Sequence, residues 1–125
     1  MQTKALYPLF LFFFIATNSP LAQEDLSESK NLYHALLIEW KEDAAQDDKN
    51  KVLEIFKNLP SKIDGFEAVS FKKLIRSNKG HSLLILMRFS DESALQVYQE
   101  HPEHLRIKKI GMPLIADLSK HDYWD

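Results

Sequence analysis

The sequence contains no cysteine. It therefore has no disulfide, no thiolate nucleophile and no Cys-ligated zinc or iron–sulfur centre. Glycine is scarce, at three residues. Neither G-x-G-x-x-G, a P-loop nor G-x-S-x-G occurs, so the common cofactor, phosphate and nucleophile-elbow signatures are missing and no cofactor is expected. No run of Lys and Arg exceeds two, and 16 basic against 18 acidic residues give a formal charge of −2. The electrostatic footprint of a nucleic-acid binder is thus absent. What remains is ordinary: 125 residues, 45% apolar and 27% charged, without internal repeats. That describes one small globular domain.

The N-terminus has a different composition. "MQTKALYPLFLFFFIATNSPLAQ" carries Lys4, an apolar stretch from Ala5 to Ala16, then small and turn-forming residues. This is the order of a secretory signal, with cleavage expected after Ala22. The apolar run falls short of the roughly 20 residues a spanning helix needs. Residues 1–22 are read as a signal peptide, 23–31 as a polar linker and 32–125 as the domain. The chain is expected to be exported, to periplasm or medium, with no membrane attachment after cleavage. Removing residues 1–22 takes away one Lys and no acid, leaving a net charge of −3. The remaining hundred or so residues bury only a little over 60% of their unfolded-chain surface, which favours a partner surface.

Along the domain, "LYHALLIEW" alternates with both faces largely apolar, as in a strand covered on both sides. "KEDAAQDD" opens a helix with acids near its positive end; Val52, Leu53, Phe56 and Leu59 follow at helical spacing, and Pro60 ends the run. "KIDGF" is a turn, "EAVSFKKLI" a second strand and "RSNKGH" a hairpin connection. "SLLILMRF" reads as a central strand. Ser90 and Asp91 cap a second helix that Pro102 interrupts, and "EHLRIKKIGMPLIADL" continues as helical turns before a last strand, "LSKHDYW". The order is β-α-β-β-α-β with the second helix split: a ferredoxin-like split βαβ arrangement of α+β class. Ala35, Leu37 and their neighbours would lie on the sheet face away from the helices. An apolar patch of that size marks an interface, so a homodimer with sheets packed face to face is expected.

"YHALLIEWK", "LPSKIDGFEAV", "LLILMRFSDESALQVYQEHPEHL" and the closing "DYW" resemble the stress-responsive A/B barrel domain. The most specific element is F-x-(D/S)-x-x-A-L-x-x-Y-x-x-H-P-x-H, which runs without a gap from Phe89 to His104. The resemblance covers Leu32 to Trp124 and implies a dimeric α+β barrel with a cavity between helices and sheet. In the polyketide-cyclase branch of that family a Tyr and the second His of the H-P-x-H motif do acid/base work. The matching positions are Tyr98 and His104, with His101 and His34 nearby and walls at Leu36, Ile38, Val52, Leu53, Phe56 and Ile107. The chain departs from the family pattern at two points. His81 stands two residues before the usual third-strand histidine, and Lys120 occupies an expected apolar pocket position.

Three readings of "YQEHPEH" follow. As chemistry, Tyr98 and His101 share a helix face, Pro102 lets His104 turn back toward the sheet, and His34 faces them from the first strand. A neutral imidazole then takes a proton and a phenol donates to a developing enolate. A small apolar ligand held in the same cavity is the version without turnover. As structure, His101 caps the first helix segment, His104 bonds a carbonyl freed by Pro102, Tyr98 is a core aromatic, and a stress-related dimer with a filled core is itself the functional unit. As a metal site, three imidazoles could hold zinc or copper, but the i, i+4 spacing of a helix metal face is missing, and no metal is expected.

Overall fold

A computed structural model describes residues 31–125, so the expected signal peptide and nearly all of the linker lie outside the described residues. Strand β1 (Leu32–Trp40) leads through a turn to helix α1 (Gln46–Asn58), then β2 (Phe66–Lys73), β3 (Leu83–Phe89), α2 (Glu92–Glu100), α3 (Pro102–Gly111) and β4 (Ile115–Trp124). The four strands form one antiparallel sheet in the order β2-β3-β1-β4. This is the ferredoxin-like α+β fold expected from the sequence, with the second helical segment split at Pro102.

Alternation decides which side chains face the helices. Leu32, His34, Leu36 and Ile38 lie opposite Phe89, Met87, Ile85 and Leu83 in the β1–β3 ladder. All eight are buried, and Ile85, Met87 and Phe89 have no exposed surface. On the helical side Val52, Ile55 and Phe56 recur at spacings of three and four in α1, as do Ala94, Leu95 and Tyr98 in α2. These stripes close over the sheet into one apolar core. Each large side chain contributes about 1.5–3 kcal/mol by leaving water.

Two elements begin at places other than those expected. Helix α1 starts at Gln46 rather than within "KEDAA", because Ala44 N–H closes a turn on Lys41 O first; Asp47 and Asp48 then occupy the first helical turn. Helical structure also ends earlier near the C-terminus. A single 3-10 turn over Met112–Leu114 contains Pro113, and β4 already starts at Ile115, paired with Trp40. Ladder pairing along the whole of β1 outweighs the helical pattern of "LIADL".

The turn before β2 needs glycine. Gly65 has φ of +80°, and a Cβ there would lie 2.6 Å from Ala94 Cβ and 2.8 Å from Ser90 Oγ. The close approach seats the β2 entrance against the start of α2. Ser90 N–H donates to Gly65 O, and Asp91 caps α2 by accepting from Ala94 N–H at 2.8 Å.

Candidate functional site

The break between α2 and α3 builds the site. Pro102 has no N–H to give the Tyr98 carbonyl, so His101 N–H donates there instead. Glu103 N–H, which an unbroken helix would direct to Gln99 O, instead donates to His101 Nδ1 at 3.1 Å. The Gln99 carbonyl is left for the His104 ring, whose Nδ1 donates to it at 2.8 Å. A carbonyl only accepts, so His104 carries its hydrogen on Nδ1 and keeps the Nε2 lone pair free.

His34, 5% exposed on β1, is fixed in the same tautomer from the other wall. Its Nδ1 donates to the carboxylate of Asp122, the residue directly opposite in the β1–β4 register. Tyr98 stands between the two imidazoles. Its ring centroid is 4.5 Å from that of His104 and 6.0 Å from that of His34. Tyr98 is 1% exposed, yet its hydroxyl makes no hydrogen bond to any described residue. Burial holds the phenol well above its ordinary pKa, so it stays a donor. Burial lowers the His104 pKa, and Lys108, Lys120 and His34 push the same way against the Gln99 hydrogen bond. His104 is therefore neutral near pH 7.

A cavity of about 500 Å³ lies between the helices and the sheet. Its wall includes His34, Leu36 and Ile38 from β1, Val52 and Phe56 from α1, Tyr98, and His104 and Ile107 from α3. Two positions named from the sequence lie outside that lining. His101 is turned away because its ring caps α3 by accepting from Glu103 N–H. Leu53 is only partly buried, since the wall positions of α1 are Val52 and Phe56, one helical turn apart, and Leu53 is rotated off that line. Lys108, Met112, Leu118 and Lys120 also belong to the wall, and Lys120 lies opposite Leu36 in the ladder.

Asp122 went unnoticed in the sequence; its parity with Lys120 and Leu118 on the last strand is the signal that marks it. His81 stays apart from this group. Its Nε2 is 2.5 Å from Asp117 Oδ2 and its Nδ1 is 3.4 Å from Ser77 Oγ, tying the β2–β3 connection to β4. A more open groove of about 580 Å³ between α2 and the end of β4 contains no histidine. Among the described residues no group of three His, Asp or Glu side chains is arranged to hold a metal ion.

A four-stranded antiparallel sheet carrying its helices on one face, with a polar-ended cavity between them, defines a ferredoxin-like α+β fold. The match to the model of the Stress Responsive A/B Barrel Domain extends over residues 32–125, and the chain belongs to that family. Among solved structures it is similar to a hydroxynitrile lyase from Passiflora edulis, with 12% identity and a TM-score of 0.70 over 78% of this chain and 94% of that one. A dimeric ferredoxin-like protein of unknown function from Thermobifida fusca matches at 19% identity and TM-score 0.66, covering 78% and 93%. A family protein from Mesorhizobium loti matches at 20% identity and TM-score 0.64, covering 74% and 94%. No curated protein matches the sequence.

Proposed function

We propose that this chain is an exported homodimer that takes a small, largely apolar carbonyl compound into the helix–sheet cavity and moves a proton there. The observation that carries this reading is the place of Tyr98 in the cavity wall, its phenol kept protonated by burial, beside an imidazole whose Nδ1 is committed to Gln99 O and whose Nε2 is free. In the proposed step His104 Nε2 takes a proton from the carbon next to the carbonyl. The C–H electrons become the enolate double bond, and the carbonyl π electrons move to the oxygen, which accepts from Tyr98 O–H. Returning the proton reverses the step. An intramolecular aldol closure or loss of a leaving group makes it productive. Positioned acid/base groups of this kind contribute about 10²–10⁴-fold.

Other features support the setting. One solved neighbour is a lyase, so the scaffold accommodates such chemistry in that protein. Others are described as dimeric, and Leu37, Leu84 and Leu86 form an apolar outer sheet face that no described segment covers. The signal-like N-terminus supports export. No described helix is long and apolar enough to cross a membrane.

Deuterium exchange tests the reaction without knowledge of the natural substrate. Acetophenone analogues with an ethyl or propyl chain, incubated in D2O with the protein, should gain deuterium beside the carbonyl faster than in buffer. His104→Ala should remove the acceleration while the circular dichroism spectrum is retained. Binding without exchange in the native chain would reduce the cavity to a carrier site.

A further inference from the structure

The cavity wall contains no carboxylate, and its two formal charges are Lys108 and Lys120. Neither lysine forms an ion pair with a described residue, although Lys51 and Lys62 each do. Both ammonium groups are close enough to His104 to depress its basicity. The wall thus combines an apolar floor, a proton-transfer group at one place and unpaired positive charge at another.

Their separation follows from the elements that hold them. His104 and Lys108 are four apart on α3, hence on one face with Cβ atoms about 5–6 Å apart. On β4, Lys120 is two residues from Asp122, the partner of His34, on the same sheet face and roughly 7 Å along the strand. Helix and strand therefore shift the charge by about the same step from the imidazoles.

We propose that the ligand is an anionic keto acid, with its carbonyl at Tyr98 and His104 and its carboxylate held by Lys108 and Lys120 a few carbons away. This rests on the proton-transfer reading above and names the class of substrate it acts on. Lys120 is then a specificity-determining residue: an apolar side chain opposite Leu36 would suit a neutral ligand, whereas an ammonium group there selects an acid. An ammonium group is a compact point charge that tolerates several carboxylate orientations, so recognition by this pair depends on charge more than on fork geometry.

Titration calorimetry with β-benzoylpropionate and its methyl ester tests the assignment, since the two differ in the charge and the ester cap alone. The native chain should bind the acid about tenfold more tightly than the ester, a difference of roughly 1.4 kcal/mol. The preference should weaken as salt is added. In Lys108→Ala/Lys120→Ala the ratio of the two affinities should fall toward one. Lys109→Ala, which removes one positive charge next to Lys108 on α3 but off the wall, should keep the native ratio. Equal affinities in the native chain, or a preference surviving the double substitution, would overturn the keto acid while leaving the carbonyl cavity intact. If neither compound binds the native chain at millimolar concentration, the cavity reading itself falls, and the keto acid with it.

Discussion

His34 donates its Nδ1–H to the carboxylate of Asp122 directly across the β1–β4 ladder, although 88 residues separate the two in sequence. The pairing gives one wall of the cavity a fixed imidazole tautomer. The Gln99 carbonyl does the same for His104 on the opposite wall. Two unrelated acceptors thus orient two histidines on either side of one buried phenol.

Removing the strand partner should release the first of these rings. In Asp122→Ala, His34 should become a mixture of tautomers, visible as converging ring nitrogen shifts in 15N NMR. Carbonyl-directed deuterium exchange should fall less than in His104→Ala, because His34 lines the cavity while His104 takes the proton. Asp122 is half-exposed, so the fold should survive. Unchanged ring shifts would show that packing, not the carboxylate, orients His34.

His104 makes stability depend on pH. Its folded pKa is lowered, mainly by burial, from an unfolded value near 6.5. Above 6.5 both states hold the ring neutral and its contribution is complete. As pH falls through 6.5 the unfolded chain takes up the proton first, so stability declines until the folded pKa is passed. The urea midpoint should therefore be lower at pH 5.5 than at 7.5, and His104→Gln should reduce that difference. Exchange activity should follow the same neutral ring, with its acid limb below pH 6.5. An acid limb above 6.5 would contradict the lowered pKa.

Gly65 should resist substitution. Its φ of +80° strains any side chain, and a Cβ 2.6 Å from Ala94 Cβ must displace the start of α2. Gly65→Ala should destabilise the chain by about 1–3 kcal/mol in urea denaturation. Ala94→Gly, tested with it, should recover part of the loss by removing the methyl group that Gly65→Ala collides with. Failure of the pair to couple would place the cost in the backbone alone.

The same physics explains what could be read before the structure. Alternation in "LYHALLIEW" and the nearly continuous apolar run of "SLLILMRF" identified β1 and β3, the two strands in the middle of the sheet. Tyr98 and His104 stood out because they flank the Pro102 break in a motif shared with the family, and His34 because strand alternation sets its face. Asp122 did not, because its partner depends on the β1–β4 register, a long-range quantity set by tertiary pairing. His101 was misplaced for a local reason: the proline that creates the motif also frees Glu103 N–H, which captures that ring. Leu53 failed on helix phase, since apolar character alone does not distinguish the wall of α1 from its flank.

The outer sheet face supplies the last test. Leu37 lies opposite Leu84, and Ala35 opposite Leu86, on the side away from the helices. If two chains pack through this face, Leu37→Asp buries an unpaired charge, which costs several kcal/mol. Sedimentation at micromolar concentration should then show a dimer for the native chain and a monomer for the variant. The cavity lies on the other side of the sheet, between β1 and the helices of the same chain. Monomeric Leu37→Asp should therefore keep its carbonyl exchange rate per chain. A native monomer would remove the dimer. A monomeric variant that loses exchange while remaining folded would mean that the second chain shapes the cavity across the sheet.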